Sequence, residues 1–236
     1  MKKILENIYL LEEVRGCNVY LLDSGKELTL IDTGLKGQGE KIEAQLQEAG
    51  FSLSQLRYII LTHAHRDHMG SANEVATRAV ARVLAHEGEI PYLEQTETLP
   101  VSSVMGMLFT WLEKKFLPKV PPCLVDKGLK DKESLDILEG LQVIYTPGHT
   151  PGTISLYQPE RKILFCGDAL FNQNPATGKK GLRLPISLFT ADKKDALESV
   201  KKLSTFPIQS IFFGHGVPIL ENGRERIQSL LEKKSG

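Results

Sequence analysis

The 236-residue sequence has no excess of either charge: lysine plus arginine and aspartate plus glutamate each number 29, a formal net charge of zero. That removes the bulk attraction by which nucleic-acid and anionic-membrane binders work. A disulfide framework is missing too. Cys17, Cys123 and Cys166 are the only cysteines, odd in number and without paired spacing, which suits free thiols in a reducing compartment. No apolar run approaches the ~20 residues of a membrane span. Glu6, Glu12 and Glu13 interrupt the apolar positions near the N-terminus, so no signal peptide is expected. These absences predict a soluble, cytoplasmic protein with neither nucleic acid nor membrane as a partner; a monomer or homodimer is expected. The length suits one domain, 1–236, with an ample core.

Histidine, in contrast, is concentrated. The chain has six, and three of them fall in Thr62-His63-Ala64-His65-Arg66-Asp67-His68-Met69-Gly70. The apolar, β-branched run 56–61 before this stretch predicts a buried strand, and 70–81 after it predicts a helix. The polar side chains then sit on the loop at a strand's carboxyl end, where open α/β sheets place their ligands. On near-extended chain, positions two apart point the same way, so His63 and His65 can grip one ion together. As the chain turns toward its helix, Asp67 and His68 can face a second. Crowding these groups without a cation would be costly.

Strands are expected over 8–14, 18–23 and 27–32, then a helix over 39–49 closed by Gly50, and a strand over 82–85 ending at His86. Segment 87–122 breaks the rhythm with Pro91, Pro100, Pro118, Pro121 and Pro122, and within it 104–116 reads as one helix striped by Val104, Leu108, Trp111 and Leu112. The stripe belongs to the domain's own core, to a lid, or to a dimer contact. Strands follow at 141–146, 153–158, 162–166 and 210–213, with helices over 191–203 and from 222 onward.

Three later loops carry the remaining candidates. Thr146-Pro147-Gly148-His149-Thr150-Pro151-Gly152 fixes His149 between two Pro-Gly pairs. Gly167-Asp168-Ala169-Leu170-Phe171 presents Asp168 after an apolar strand, and Phe213-Gly214-His215-Gly216 presents His215 between glycines. Each alone is an ordinary turn. In this order after His-x-His-x-Asp-His, the set resembles the metallo-β-lactamase superfamily, and Gly-Asp-Ala-Leu-Phe is similar to its glyoxalase II-like branch.

The resemblance implies an α/β (α+β) fold, a four-layer αββα sandwich with an inserted helical segment near 87–122. It implies that His63, His65 and His149 bind one ion and Asp67, His68 and His215 a second, with Asp168 bridging. Asp67 and Asp168 would be the carboxylates of the catalytic centre, and Asp32, in Ile31-Asp32-Thr33-Gly34, would support it from behind. Two divalent ions are expected, zinc first, with iron or manganese tolerating the same donors. The implied reaction is dinuclear, metal-dependent hydrolysis: a metal-bound hydroxide attacks an ester-like bond, in a thioester, lactone or similar small molecule, which can carry an apolar tail. The alternative is a mononuclear-iron persulfide dioxygenase of the same fold; a nuclease or phosphodiesterase is disfavoured by the charge balance. Phe171 stands where the lactonase branch has tyrosine, and Asp168 where true β-lactamases have cysteine. His86 lies outside every motif and reads as structural, and Cys166 as a small buried thiol.

Overall fold

The computed structural model describes residues 1–235. They form two compact units that interleave in sequence: 1–98, 118–129 and 136–139 in one, and 99–117, 130–135 and 140 onward in the other.

The first unit is built on a seven-stranded sheet. Its strands run in sequence order as β1 (Lys2–Leu5), β2 (Ile8–Leu10), β3 (Tyr20–Asp23), β4 (Leu28–Ile31), β5 (Leu56–Leu61), β6 (Arg82–His86) and β7 (Lys127–Leu129). The first four pair antiparallel, β2 and β3 through the longer connection 11–19, and β4 to β7 pair parallel through crossovers. Parallel strands are covered on both faces, and β4 is accordingly buried throughout, with Thr29 its one polar residue. The crossovers carry α1 (Gly39–Glu48), α2 (Arg66–Met69), α3 (Ala72–Ala79) and the short α4 (Ile90–Leu93). Helix α1 buries Ile42, Gln45 and Leu46, which share one face at helical spacing. Helix α3 lies against β5 and β6.

The second unit starts with α5 (Val104–Phe116) and holds β8 (Ser134–Leu135), β9 (Leu141–Tyr145), β10 (Ile154–Gln158), β11 (Ile163–Gly167) and β14 (Ser210–Phe213) in one sheet of order β14-β11-β10-β9-β8. A separate hairpin pairs β12 (Phe171–Gln173) with β13 (Lys180–Arg183). Helices α6 (Lys193–Leu203) and α7 (Gly223–Ser235) complete it. The sidedness of α6 is legible in its residues: Ala196, Ser199, Val200 and Leu203 are buried, the spacing of one helix face. Val200 and Leu203 join Leu164, Cys166, Ile211 and Phe213 in one apolar cluster; each such aliphatic side chain contributes about 1.5–3 kcal/mol by leaving water. Asp192 caps α6 by accepting from the backbone N–H of Lys194 at 2.7 Å and of Asp195 at 3.0 Å.

Several expectations shift. The strand from Ile8 stops at Leu10 rather than Val14, because Glu12 and Glu13 form a turn. Helix begins inside the histidine motif, at Arg66 instead of Gly70. The stripe of α5 does not pack into a core: Val104, Leu108 and Trp111 are 79%, 51% and 54% exposed. No helix among the described residues is long and apolar enough to cross a membrane.

Candidate metal centre

In the first unit, β5 ends at Leu61 and the next residues are held by three acceptors. Asp32, 2% exposed and at φ 61°, takes the Thr62 backbone N–H at 2.8 Å and the Thr62 hydroxyl at 2.9 Å. Glu89, fully buried, accepts the Ala64 backbone N–H at 2.7 Å, between the first two histidines. The His68 carbonyl accepts both the backbone N–H and the hydroxyl of Thr33 at 2.8 Å. Gly70 closes the turn: a Cβ there would stand 2.4 Å from the Lys36 nitrogen and 2.5 Å from the Arg66 oxygen, a space only glycine fits.

Within this frame His63 Nε2 and His65 Nδ1 stand 3.1 Å apart. Two ligands of one ion, with bonds of about 2.1 Å meeting near the tetrahedral angle, are separated by about 3.4 Å. The pair fits a shared cation. Thr62 donates its hydroxyl hydrogen to Asp32, so the His63 Nδ1 3.1 Å away donates to Thr62. Nε2 of His63 is then the nitrogen with a lone pair. His68 follows the same logic. Its Nδ1 donates to Asp32 Oδ2 at 2.8 Å, leaving Nε2 to coordinate. Asp67 and His68 offer ligand atoms within 4.8 Å of each other, both on α2.

Cys17, Asp32 and His68 also cluster within 4.8 Å, but both Asp32 oxygens are engaged in holding Thr62 and His68. Burial pushes the Cys17 thiol up to about 11, with His68 opposing. A thiol so held is inert.

In the second unit, His149 Nε2 lies 3.3 Å from Asp168 Oδ2, and His215 Nε2 lies 3.5 Å from the same oxygen. All three residues are buried. One carboxylate oxygen thus stands between two imidazoles at separations expected of ligands to shared ions. The His149 loop is set on α6: Gly148, at φ 122°, has space for no Cβ, which would sit 2.1 Å from the Ala196 nitrogen. Ser199 Oγ donates to the Pro147 carbonyl at 2.7 Å. Phe171 packs its ring at 5.9 Å from His149 and 5.4 Å from His215. Cys166 turns into the apolar cluster with Leu164 and Phe213, and burial raises its thiol well above the ordinary value, with Asp168 adding to the rise.

Each predicted ligand is therefore placed in one of two groups: His63, His65, Asp67 and His68 with Asp32 behind them in the first unit, and His149, Asp168 and His215 in the second. His86 stands apart as a cap, accepting from the Gly88 N–H at 3.1 Å. Glu89 was missed by sequence reasoning. Neither glutamate of Glu87-Gly88-Glu89 belongs to a pattern that would mark it as an acceptor for residue 64.

A family model described as the metallo-beta-lactamase superfamily matches residues 13–215. The chain is 30% identical over 237 residues to the probable metallo-hydrolase YflN of Bacillus subtilis (strain 168), covering 94% of this chain and 89% of that one. It is 27% identical over 159 residues to the hydroxyacylglutathione hydrolase GloC of Haemophilus influenzae, over 66% of this chain and 67% of the other. The crystal structure of TTHA1623 in a di-iron-bound form superposes with a TM-score of 0.66 at 28% identity, covering 93% of each chain.

Proposed function

We propose that this chain, which belongs to the metallo-beta-lactamase superfamily and is a metal-dependent hydrolase, binds two divalent ions and cleaves an ester-like bond of a small molecule, a thioester before a lactone. The observation that carries the reading is Asp168 Oδ2 standing 3.3 Å from one imidazole and 3.5 Å from another. A carboxylate so flanked suits a bridge between two ions, one held by His63, His65 and His149 and the other by Asp67, His68 and His215. The family model's run over 13–215 supports a single domain, 1–236.

When bound, the ions supply an activated water as nucleophile, a Lewis acid for the carbonyl, and positive charge in excess of Asp67 and Asp168 for the developing oxyanion. The chain's own residues do the positioning. Asp32 fixes the tautomer of His68, Thr62 that of His63, and Glu89 the backbone between His63 and His65. Cys17 and Cys166 do not compete as nucleophiles, since burial keeps both thiols protonated. Five histidines and two carboxylates suit zinc, and iron fits the same donors; the di-iron form of TTHA1623 supports a pair of ions. The similarity to GloC supports the thioester class.

The test is turnover by purified protein on a thioester, a lactone, a phosphodiester and a persulfide, alongside elemental analysis. Thioester cleavage with two ions per chain is expected. Oxygen consumption on the persulfide with a single iron would replace this reading with the dioxygenase.

A further inference from the structure

Outside the histidine loops, the second unit holds a cleft of about 270 Å³ whose lining includes Arg183, Lys193, Lys234, Ser187, Thr190 and Ala196. Three cations and two hydroxyls meet there, and no carboxylate lines it. In a chain of zero net charge that is a local concentration of one sign. Asp192, the nearest acid in sequence, has its carboxylate directed to the Lys194 and Asp195 N–H groups as the cap of α6, so it neither fills the cleft nor leaves the helix terminus open to a ligand. Arg183 is braced by bonds from Nε to the Gly181 carbonyl at 3.0 Å and from Nη2 to the Lys180 carbonyl at 3.1 Å. That leaves three of its five N–H groups for another acceptor.

The cleft shares a wall with the His149 loop. Ala191, next to Thr190, donates its N–H to the His149 carbonyl at 3.0 Å, and Asp192 donates to the Gly148 carbonyl at 2.8 Å. Ala196 both lines the cleft and meets the backbone at Gly148. A group seated against Thr190 and Ala196 is thus one chain's thickness from the loop that presents His149. The volume is below that of a whole ligand site and suits one end of a molecule.

We propose that this cleft binds the non-reacting, anionic end of the substrate, a phosphate or a carboxylate. Arg183 offers paired donors to its oxygens, Lys193 and Lys234 supply point charges, and the Ser187 hydroxyl completes the hydrogen bonding, the Thr190 hydroxyl being committed to the Ile186 carbonyl at 2.8 Å. The link to substrate rests on the hydrolase reading above; the anion site itself does not.

Two measurements separate them. Inorganic phosphate and, separately, succinate are titrated calorimetrically into the metal-loaded protein and into the double variant R183Q/K234Q. Loss of these donors should weaken binding about tenfold or more, with metal content and circular dichroism unchanged, and the tighter of the two probes identifies the head group. Binding equal in variant and wild type, or present only through the metal and abolished by chelator, overturns the site. Second, KM is compared for two thioesters that differ only by a terminal charged group matching the tighter probe. Their KM ratio should shift about tenfold against the charged one in R183Q/K234Q, and an unshifted ratio overturns the substrate role. If neither thioester turns over while anion binding depends on Arg183 and Lys234, the hydrolase reading fails and the anion site stands.

Discussion

Asp32 uses both carboxylate oxygens internally, on the Thr62 N–H and hydroxyl and on His68 Nδ1. Asparagine tolerates the same left-handed backbone (φ 61°), so Asp32→Asn isolates the loss of charge and of one acceptor. Metal affinity should fall about 10- to 100-fold, read by competition with a chromophoric chelator; unchanged affinity would remove Asp32 from the support of the site. Glu89→Ala leaves the buried Ala64 N–H without this acceptor, a loss of about 1–3 kcal/mol. Urea denaturation should show it as a lower midpoint at constant slope, and an unmoved midpoint would mean the loop is held by other means. The ligands themselves were legible because histidine and aspartate at fixed short spacing constrain chemistry locally. Glu89 was not, since its partner lies 25 positions away and nothing in one sequence reports that contact.

Among the elements, α6 is tied to β9 by a charged clamp. Lys202 bonds Asp131 at 3.1 Å and the Tyr145 carbonyl at 2.9 Å, while Asp131 accepts the Tyr145 N–H at 2.7 Å. Burial alone would raise the Asp131 carboxyl, but the bond from Tyr145 and the charge of Lys202 outweigh it and hold it below the ordinary value. A carboxylate depressed in the fold contributes stability that is present above its unfolded pKa, near 4, and disappears as pH falls through the folded value. Melting-temperature differences between wild type and Asp131→Asn should therefore be constant from about pH 5 to 7 and vanish on the acid side. A difference that persists at low pH would assign the effect to packing. Helix α5 behaves differently. Its length and stripe were evident from the sequence, but its surroundings were not, because apolar periodicity cannot distinguish a packed face from an exposed one. With Trp111 54% exposed and Lys115 4.9 Å from its ring, Trp111→Ala should change stability by no more than about 0.5 kcal/mol. If α5 receives an apolar substrate tail, the same variant raises KM for long-chain substrates more than for short ones. Equal losses would leave α5 without that role. The two- and three-residue strands β7, β8 and β12 escaped the sequence because so few residues show no alternation.

In the whole molecule, the order of strands and ligand loops followed from the sequence, while the interleaving of the two units did not. Segment 99–117 belongs with the second unit and 118–129 with the first, a division that follows long-range pairing and leaves no mark in local composition. The central claim of the proposed function is a dinuclear centre bridged by Asp168. It is tested most directly by measuring metal per chain and thioester turnover in wild type and Asp168→Ala under the same loading conditions. The account predicts two ions and turnover in the wild type. In the variant it predicts loss of at least one ion, with turnover reduced at least about a hundredfold. Two ions retained with unchanged turnover would contradict it.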